Sequence, residues 1–114
     1  MTMFNTNFNG TLPFSDLTVQ IALAASTALS YTVPGDDAVL YRAEFTWPLN
    51  ANVYVGYNTT ATIAPAGAVT TSSNSSIELR PGVRYVRGGD VLSFISDALV
   101  SSAGLSLLQL PSQK

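Results

Sequence analysis

The stretch Val39–Tyr57, VLYRAEFTWPLNANVYVGY, decides the fold. Apolar residues occupy every second position in its first half, namely Val39, Tyr41, Ala43, Phe45 and Trp47. Successive side chains of a β-strand point to opposite faces of the sheet, so this alternation predicts a strand with one large apolar face. Pro48 and two asparagines interrupt the pattern before a second alternating run begins at Val53. We therefore predict two strands, joined as a hairpin, at the centre of an all-β domain.

Similar short runs follow one another along the rest of the chain, and each ends at a turn signal. They begin near Leu17, Leu29, Ile77, Val83, Val91 and Val100, with a weaker run at residues 68–71 inside the loop 61–76. Pro34-Gly35 supplies the fixed φ and the positive φ of a tight turn. Gly88-Gly89 predicts a second hairpin, between the Val83 and Val91 runs. About eight short strands predict an antiparallel β-sandwich, jelly-roll-like, with a seven-stranded Greek key as the alternative.

Length and charge limit the classes of function. The 114 residues fit one domain, and 11% of them are charged, against about 25% in an average soluble domain. This deficit indicates that part of the surface is buried against a partner. With five basic residues and a net charge of −2, the chain lacks the basic stripe of a nucleic-acid-binding protein. Its N-terminal segment does not resemble a signal peptide, and no apolar run is long enough for a membrane span, so we expect no membrane partner.

Catalysis and metal binding receive little support from the sequence. Cysteine and histidine are both absent, which excludes thiol chemistry, histidine acid–base catalysis and ordinary zinc sites. Asp36-Asp37 together with Asp90 or Asp97 offers the oxygen ligands that calcium prefers, although aspartates after Pro-Gly are common turn residues. Glu44 and Glu78 are a candidate pair of glycosidase carboxylates, but nothing in their spacing supports that chemistry. We expect a protein that is not an enzyme and that holds neither metal nor cofactor.

Two groups of residues are candidates for binding a partner protein. Residues 1–16 show no regular period and carry Phe4, Phe8 and Phe14 among polar residues. We predict an extended N-terminal arm over 1–16, whose phenyl rings dock on another subunit, and one sandwich domain over 17–114; a disordered terminus is the alternative. The second group consists of Arg80, Arg84 and Arg87, which lie close together in the sequence and are available to pair with acids of a neighbour, unless they are solvated strand residues.

A third group is relevant to a different function. Trp47, Tyr54 and Tyr57 are candidates for an aromatic platform that stacks on sugar rings. Aromatic side chains on alternating strands more often belong to a core or to a subunit interface. Both interpretations remain open at this point.

The chain, from about Leu17 to Leu110, resembles small virion proteins of tailed bacteriophages. The resemblance is carried by NVYVGYN (52–58), the Thr/Ala/Pro/Gly/Ser-rich loop after it, ELRPG (78–82), RYVRGGDVLSFIS (84–96) and a short Leu-rich final strand. Among those proteins the chain is most similar to capsid decoration, or cement, proteins. It shares with them its approximate length, its all-β pattern and its lack of cysteine.

This resemblance implies a role on the virion. It implies a protein made in the host cytoplasm that binds the outside of the head, contacts the major capsid protein and clamps neighbouring capsomers as a homo-oligomer, either a dimer or a trimer. The alternatives are a carbohydrate-binding or receptor-binding sandwich, and a structural component of the tail or neck of the same particle.

Overall fold

The computed structural model of the chain describes residues 14–49, 51–63 and 76–111. They form eight β-strands arranged in two antiparallel sheets, so the predicted all-β sandwich is confirmed. No helix in these three ranges is long and apolar enough to cross a membrane. The predicted contact residues Phe4 and Phe8, and the weak run at 68–71, lie outside the described residues.

The strand boundaries follow the alternating runs of the sequence. The strands are β1 (Leu17–Leu23), β2 (Leu29–Thr32), β3 (Leu40–Thr46), β4 (Val53–Tyr57), β5 (Ser76–Leu79), β6 (Val83–Arg87), β7 (Val91–Ser96) and β8 (Val100–Gln109). In sheet A the spatial order is β1-β8-β3-β6, and in sheet B it is β2-β7-β4-β5. Each sheet therefore has four strands and two edges.

Strands pair in a nested pattern. β1 pairs with β8, β2 with β7, β3 with β6, and β4 with β5, all antiparallel. Further antiparallel pairing of β3 with β8 and of β4 with β7 joins the nested pairs into the two sheets. A long two-stranded ribbon that is rolled up on itself has this order, and the observation is consistent with the predicted jelly roll.

Both predicted hairpins are wrong. β3 lies in sheet A and β4 in sheet B, and β6 and β7 are likewise in different sheets. The turn signals at Pro48 and at Gly88-Gly89 are real, but each turn carries the chain across the sandwich instead of back along a neighbouring strand. Because β3 and β4 lie in opposite sheets, their apolar faces pack against each other across the core. In a hairpin the two strands would lie side by side in one sheet, and their apolar faces would not pack against each other.

The core lies between the two sheets and is formed by the inward positions of every long strand. On β3 these are Tyr41, Ala43 and Phe45, as the alternation predicts, and on β4 they are Val53 and Val55. Leu105 and Leu107 of the central strand β8 have no exposed surface. Alternate residues are buried, so a slip of one residue would move the apolar side chains of a strand from the core to the solvent face. The cost of losing these core contacts fixes the register of each strand.

Candidate functional site at one end of the sandwich

Four connections between the sheets gather at one end of the molecule. They are residues 24–28, 47–52, 80–82 and 97–99, each of which joins a strand of one sheet to a strand of the other. We call this surface the Leu49–Leu99 end. The connections 33–39 and 88–90 cross at the opposite end, which we call the acidic end because Asp36, Asp37 and Asp90 lie there.

The Leu49–Leu99 end carries most of the exposed apolar side chains of the described residues. Leu49 is 93% exposed and Leu99 is 77% exposed, each within a connection. Leu29, Leu79 and Val83 lie at strand ends beside them and are 40 to 50% exposed. Five of the nine large exposed apolar side chains in the described ranges therefore share one end of the sandwich. A concentration of this kind is typical of an interaction surface.

The connection that carries Leu49 is fixed by Arg80. The Arg80 guanidinium donates hydrogen bonds to the carbonyl oxygens of Pro48, at 2.9 Å, and of Ala51. Hydrogen bonds from a charged donor are stronger than those between neutral groups, and these two satisfy carbonyls that the end of β3 leaves without strand partners. Arg80 itself has a positive φ of 49°, a conformation that this pair of bonds helps to maintain.

Trp47 fixes the same connection from its other side. Its indole N–H donates to the Pro81 oxygen at 2.9 Å, and its ring stacks on Phe45 with centroids 5.6 Å apart. The ring also meets Phe94 of sheet B at 6.5 Å. Trp47 therefore joins the connection to the core of both sheets.

The remaining connections are tied to their neighbours. The Ser26 amide donates to the Ser96 oxygen at 2.7 Å, and the side-chain amide of Asn52 donates to Asp97 at 3.4 Å. Together with the bonds of Arg80 and Trp47, these bonds link all four connections. Three of the connections bond to one another directly, and 24–28 bonds to the end of β7, which continues into 97–99. The exposed leucines therefore project from a braced framework, which lowers the entropy cost of binding through them.

The two ends of the sandwich differ in their number of charged side chains. Among the residues of its four connections, the Leu49–Leu99 end has two charged side chains, Arg80 and Asp97, and Arg80 is turned inward. At the acidic end, Asp36 accepts the Ala38 amide at 3.0 Å and Asp90 accepts the Arg87 amide at 2.8 Å, as turn aspartates do. The described residues contain no group of three acidic side chains that would hold a metal ion, so the calcium set proposed from the sequence is not assembled there.

The three candidate arginines do not form one basic patch. Arg80 is engaged at the Leu49–Leu99 end, and Arg87 donates to the Asp37 oxygen at 3.3 Å at the acidic end. Arg84 lies between them on β6 and forms an ion pair with Glu78 of β5, with Nε 3.1 and 3.2 Å from the two carboxylate oxygens. Of the predicted arm, Phe14 is described and is 98% exposed.

The three candidate sugar-stacking rings are not brought together on one surface. Trp47 packs against the core, as described above. Tyr54 pairs with Ile95 and faces outward from sheet B, whereas Tyr57 pairs with the buried Leu92 on the inward side. Burial, followed by a hydrogen bond with Asp90, raises the pKa of Tyr57 above its usual value.

A cleft of about 190 Å³ opens between the edges β5 and β6. Its floor consists of core side chains, among them Phe45, Val55 and Leu92, and the Glu78–Arg84 pair lies at its rim. The hydrogen bond from Arg84 lowers the pKa of Glu78. Glu44 lies in the other sheet and contacts Arg42 at 3.7 Å, so each candidate glycosidase carboxylate has its own arginine.

Leu49 and Leu99 were not identified from the sequence. The sequence did contain a signal for each of them. Leu49 follows a proline in a polar connection, and Leu99 follows Asp-Ala at the end of a strand. Neither a protein-family model nor a curated protein matches the chain.

Proposed function

We propose that this protein is a capsid decoration protein of a tailed bacteriophage, which binds the outside of the head through its Leu49–Leu99 end and stabilises contacts between capsomers of the major capsid protein. One observation carries the proposal: the exposed leucines and the scarcity of charge coincide at one braced end of the sandwich. Interface cores are depleted in charged residues and need a preorganised surface, and this end has both properties.

The size of this apolar surface indicates how the protein would attach. Burying one leucine side chain contributes about 1.5–3 kcal/mol, so Leu49 and Leu99 together contribute about 4 kcal/mol, which corresponds to a Kd of about 1 mM. A single copy would therefore bind a shell weakly through these two residues. Several copies joined together would bind much more tightly, because later contacts form at a high effective concentration. We therefore propose that the protein binds the head as a homo-oligomer.

The test is cosedimentation of the purified protein with cognate heads that lack it. Replacing Leu49 and Leu99 with serine removes the apolar tips. Because these contribute about 4 kcal/mol, binding is expected to weaken about 1,000-fold. Tyr85→Ser is the matched control, because Tyr85 is 67% exposed on β6, away from the tips of the connections. Its binding to heads should equal that of the unmodified protein.

Three results would contradict parts of the proposal. Failure of the unmodified protein to bind heads at physiological salt would refute the decoration function. Binding to isolated tails or necks instead of heads would favour the tail or neck alternative. Equal binding by the leucine double variant would refute the assignment of the Leu49–Leu99 end as the contact surface.

A further inference from the structure

The two sides of the sandwich differ in how their edge strands are protected. On one side, β5 and β6 carry Glu78, Arg84 and Arg87. On the other side, β1 and β2 lie within residues 17–35, which contain no charged side chain. An average stretch of this length carries about five charges, and natural proteins use charges on edge strands to prevent pairing with other chains. The β1–β2 side lacks that protection.

β1 is the edge best suited to accept another strand. It has seven residues, against four in β2, four in β5 and five in β6. A register shift between Ile21 and Leu23 interrupts its pairing with β8, so the regular part is Leu17–Ile21. The exposed side chains of this part, including Thr18 and Gln20, are uncharged.

We propose that β1 pairs antiparallel with β1 of a second copy, which joins the two copies of sheet A into one eight-stranded sheet across a two-fold axis. The sequence of β1 is complementary to itself in this arrangement. With Val19 on the axis, Leu17 lies opposite Ile21 of the second copy, and Thr18 lies opposite Gln20. Apolar residues thus meet on the inner face and polar residues on the outer face, and cross-strand pairs of like character stabilise a sheet.

The same test of self-pairing fails at β6. With Tyr85 on the axis, Arg84 would lie opposite Val86 of the second copy and Arg87 opposite Val83, so each of these pairs would join a charged residue to an apolar one. β1 is therefore suited to pairing with the same strand of a second copy, and β6 is not. This inference goes beyond the proposed function, because it concerns the free protein and stands whether or not a capsid is the partner.

The experiment measures the mass of the full chain in solution by sedimentation velocity over a wide concentration range. The unmodified protein is expected to form a species of twice the 12.0 kDa chain mass. In the double variant Thr18→Lys/Gln20→Lys, lysines of the two copies lie directly opposite one another, and we expect the dimer dissociation constant to rise at least about tenfold.

The matched control carries the same two added charges on the same face of sheet A. Ser106 and Thr46 lie in the rows of Thr18 and Gln20, respectively, but on the inner strands β8 and β3. Thr46→Lys/Ser106→Lys should leave the dimer intact. A control that dissociates as fully as the β1 variant would overturn the proposal, and so would an unmodified protein that stays monomeric at every concentration. The unfolding midpoint of each variant establishes that it is folded.

Hydrogen exchange supplies a second measurement of the same seam. Those amides of Leu17–Ile21 that point away from β8 should become protected as the concentration rises, while the amides of β6 should not change. Protection in a monomer of the β1 amides that point away from β8 would show that another segment of the same chain covers the edge, and would refute the dimer. None of these results depends on head binding, so failure of this inference is distinguishable from failure of the proposed function.

Discussion

Gly88 offers the sharpest test of how the two sheets are joined. A Cβ atom at this position would lie 2.3 Å from the Asp36 oxygen, and 2.5 and 2.6 Å from the carbonyl carbon and oxygen of Gly35. All three are backbone atoms, so no side chain can rotate away. Gly88→Ala therefore forces the connection 88–90 away from the connection 33–39, at the point where the acidic end is closed by a hydrogen bond from the Gly88 amide to the Val39 oxygen at 2.9 Å.

The expected cost follows from these distances. Carbon atoms in contact are ordinarily about 3.5–4.0 Å apart, so the two connections must separate by about 1 Å. Overpacking of a well-packed site costs about 1–3 kcal/mol. Distortion of the hydrogen bond from the Gly88 amide to the Val39 oxygen adds to this cost. Replacing glycine by alanine also restricts the unfolded chain, which returns about 0.4–1 kcal/mol. We expect Gly88→Ala to lower the free energy of unfolding by about 2 kcal/mol.

Gly82→Ala is the matched control, because nothing lies within 4 Å of a Cβ atom built there. It should leave the stability unchanged or raise it by about 0.4–1 kcal/mol. Urea unfolding followed by the fluorescence of Trp47, the single tryptophan, measures both variants. With an m-value of about 2 kcal/mol/M, the Gly88 variant should unfold at about 1 M less urea. A folded Gly88→Ala protein as stable as the control would refute the close approach of the two connections.

Three further predictions concern the Leu49–Leu99 end and the rim of the cleft. Arg80→Ala removes the hydrogen bonds to two carbonyls and should lower the free energy of unfolding by about 3 kcal/mol in urea; an unchanged midpoint would mean that Arg80 does not brace this end. Trp47→Phe keeps a ring but leaves the Pro81 oxygen without its donor, so calorimetry should give a loss of about 1 kcal/mol or more; equal stability would contradict the bond. Because the pKa of Glu78 is lowered, its pair with Arg84 contributes fully to stability at pH values above 4.5, the ordinary pKa of a glutamate. This contribution is lost as the pH falls through the pKa that Glu78 has in the folded state. Glu78→Gln should therefore reduce the difference in stability between about pH 7 and pH 3, and an undiminished difference would count against the pair.

The strands could be predicted from the sequence because their signal is local. Alternation along β3 reports which side chains are buried, since the pleat sends neighbours to opposite faces. Gly35 and Gly89 were likewise identified as turn residues, and their φ values of 94° and 89° agree with that interpretation. These features depend on a few consecutive residues, and a few consecutive residues are enough to recognise them.

Pairing and the contact surface could not be predicted in the same way. A turn at Pro48 is compatible both with a hairpin and with a crossing to the other sheet, and the choice depends on β6 and β8, which lie far along the chain. Arg80 looks like a surface charge until its two carbonyl acceptors, about thirty residues away, are known. The same holds for Leu49 and Leu99, which come together because four separate connections meet at one end.

The position of β8 has a consequence for how the protein is made. The last strand of the described chain lies between β1 and β3, so β1 has its pairing partner in sheet A only after some ninety residues have followed it. Synthesis from the N-terminus proceeds at about 5–20 residues per second, which leaves the uncharged β1 unpaired for several seconds on each ribosome. Neighbouring nascent chains would then expose the same self-complementary strand before it is covered by β8. Rapid release of the finished chain, or a chaperone that holds β1, would limit aggregation during expression.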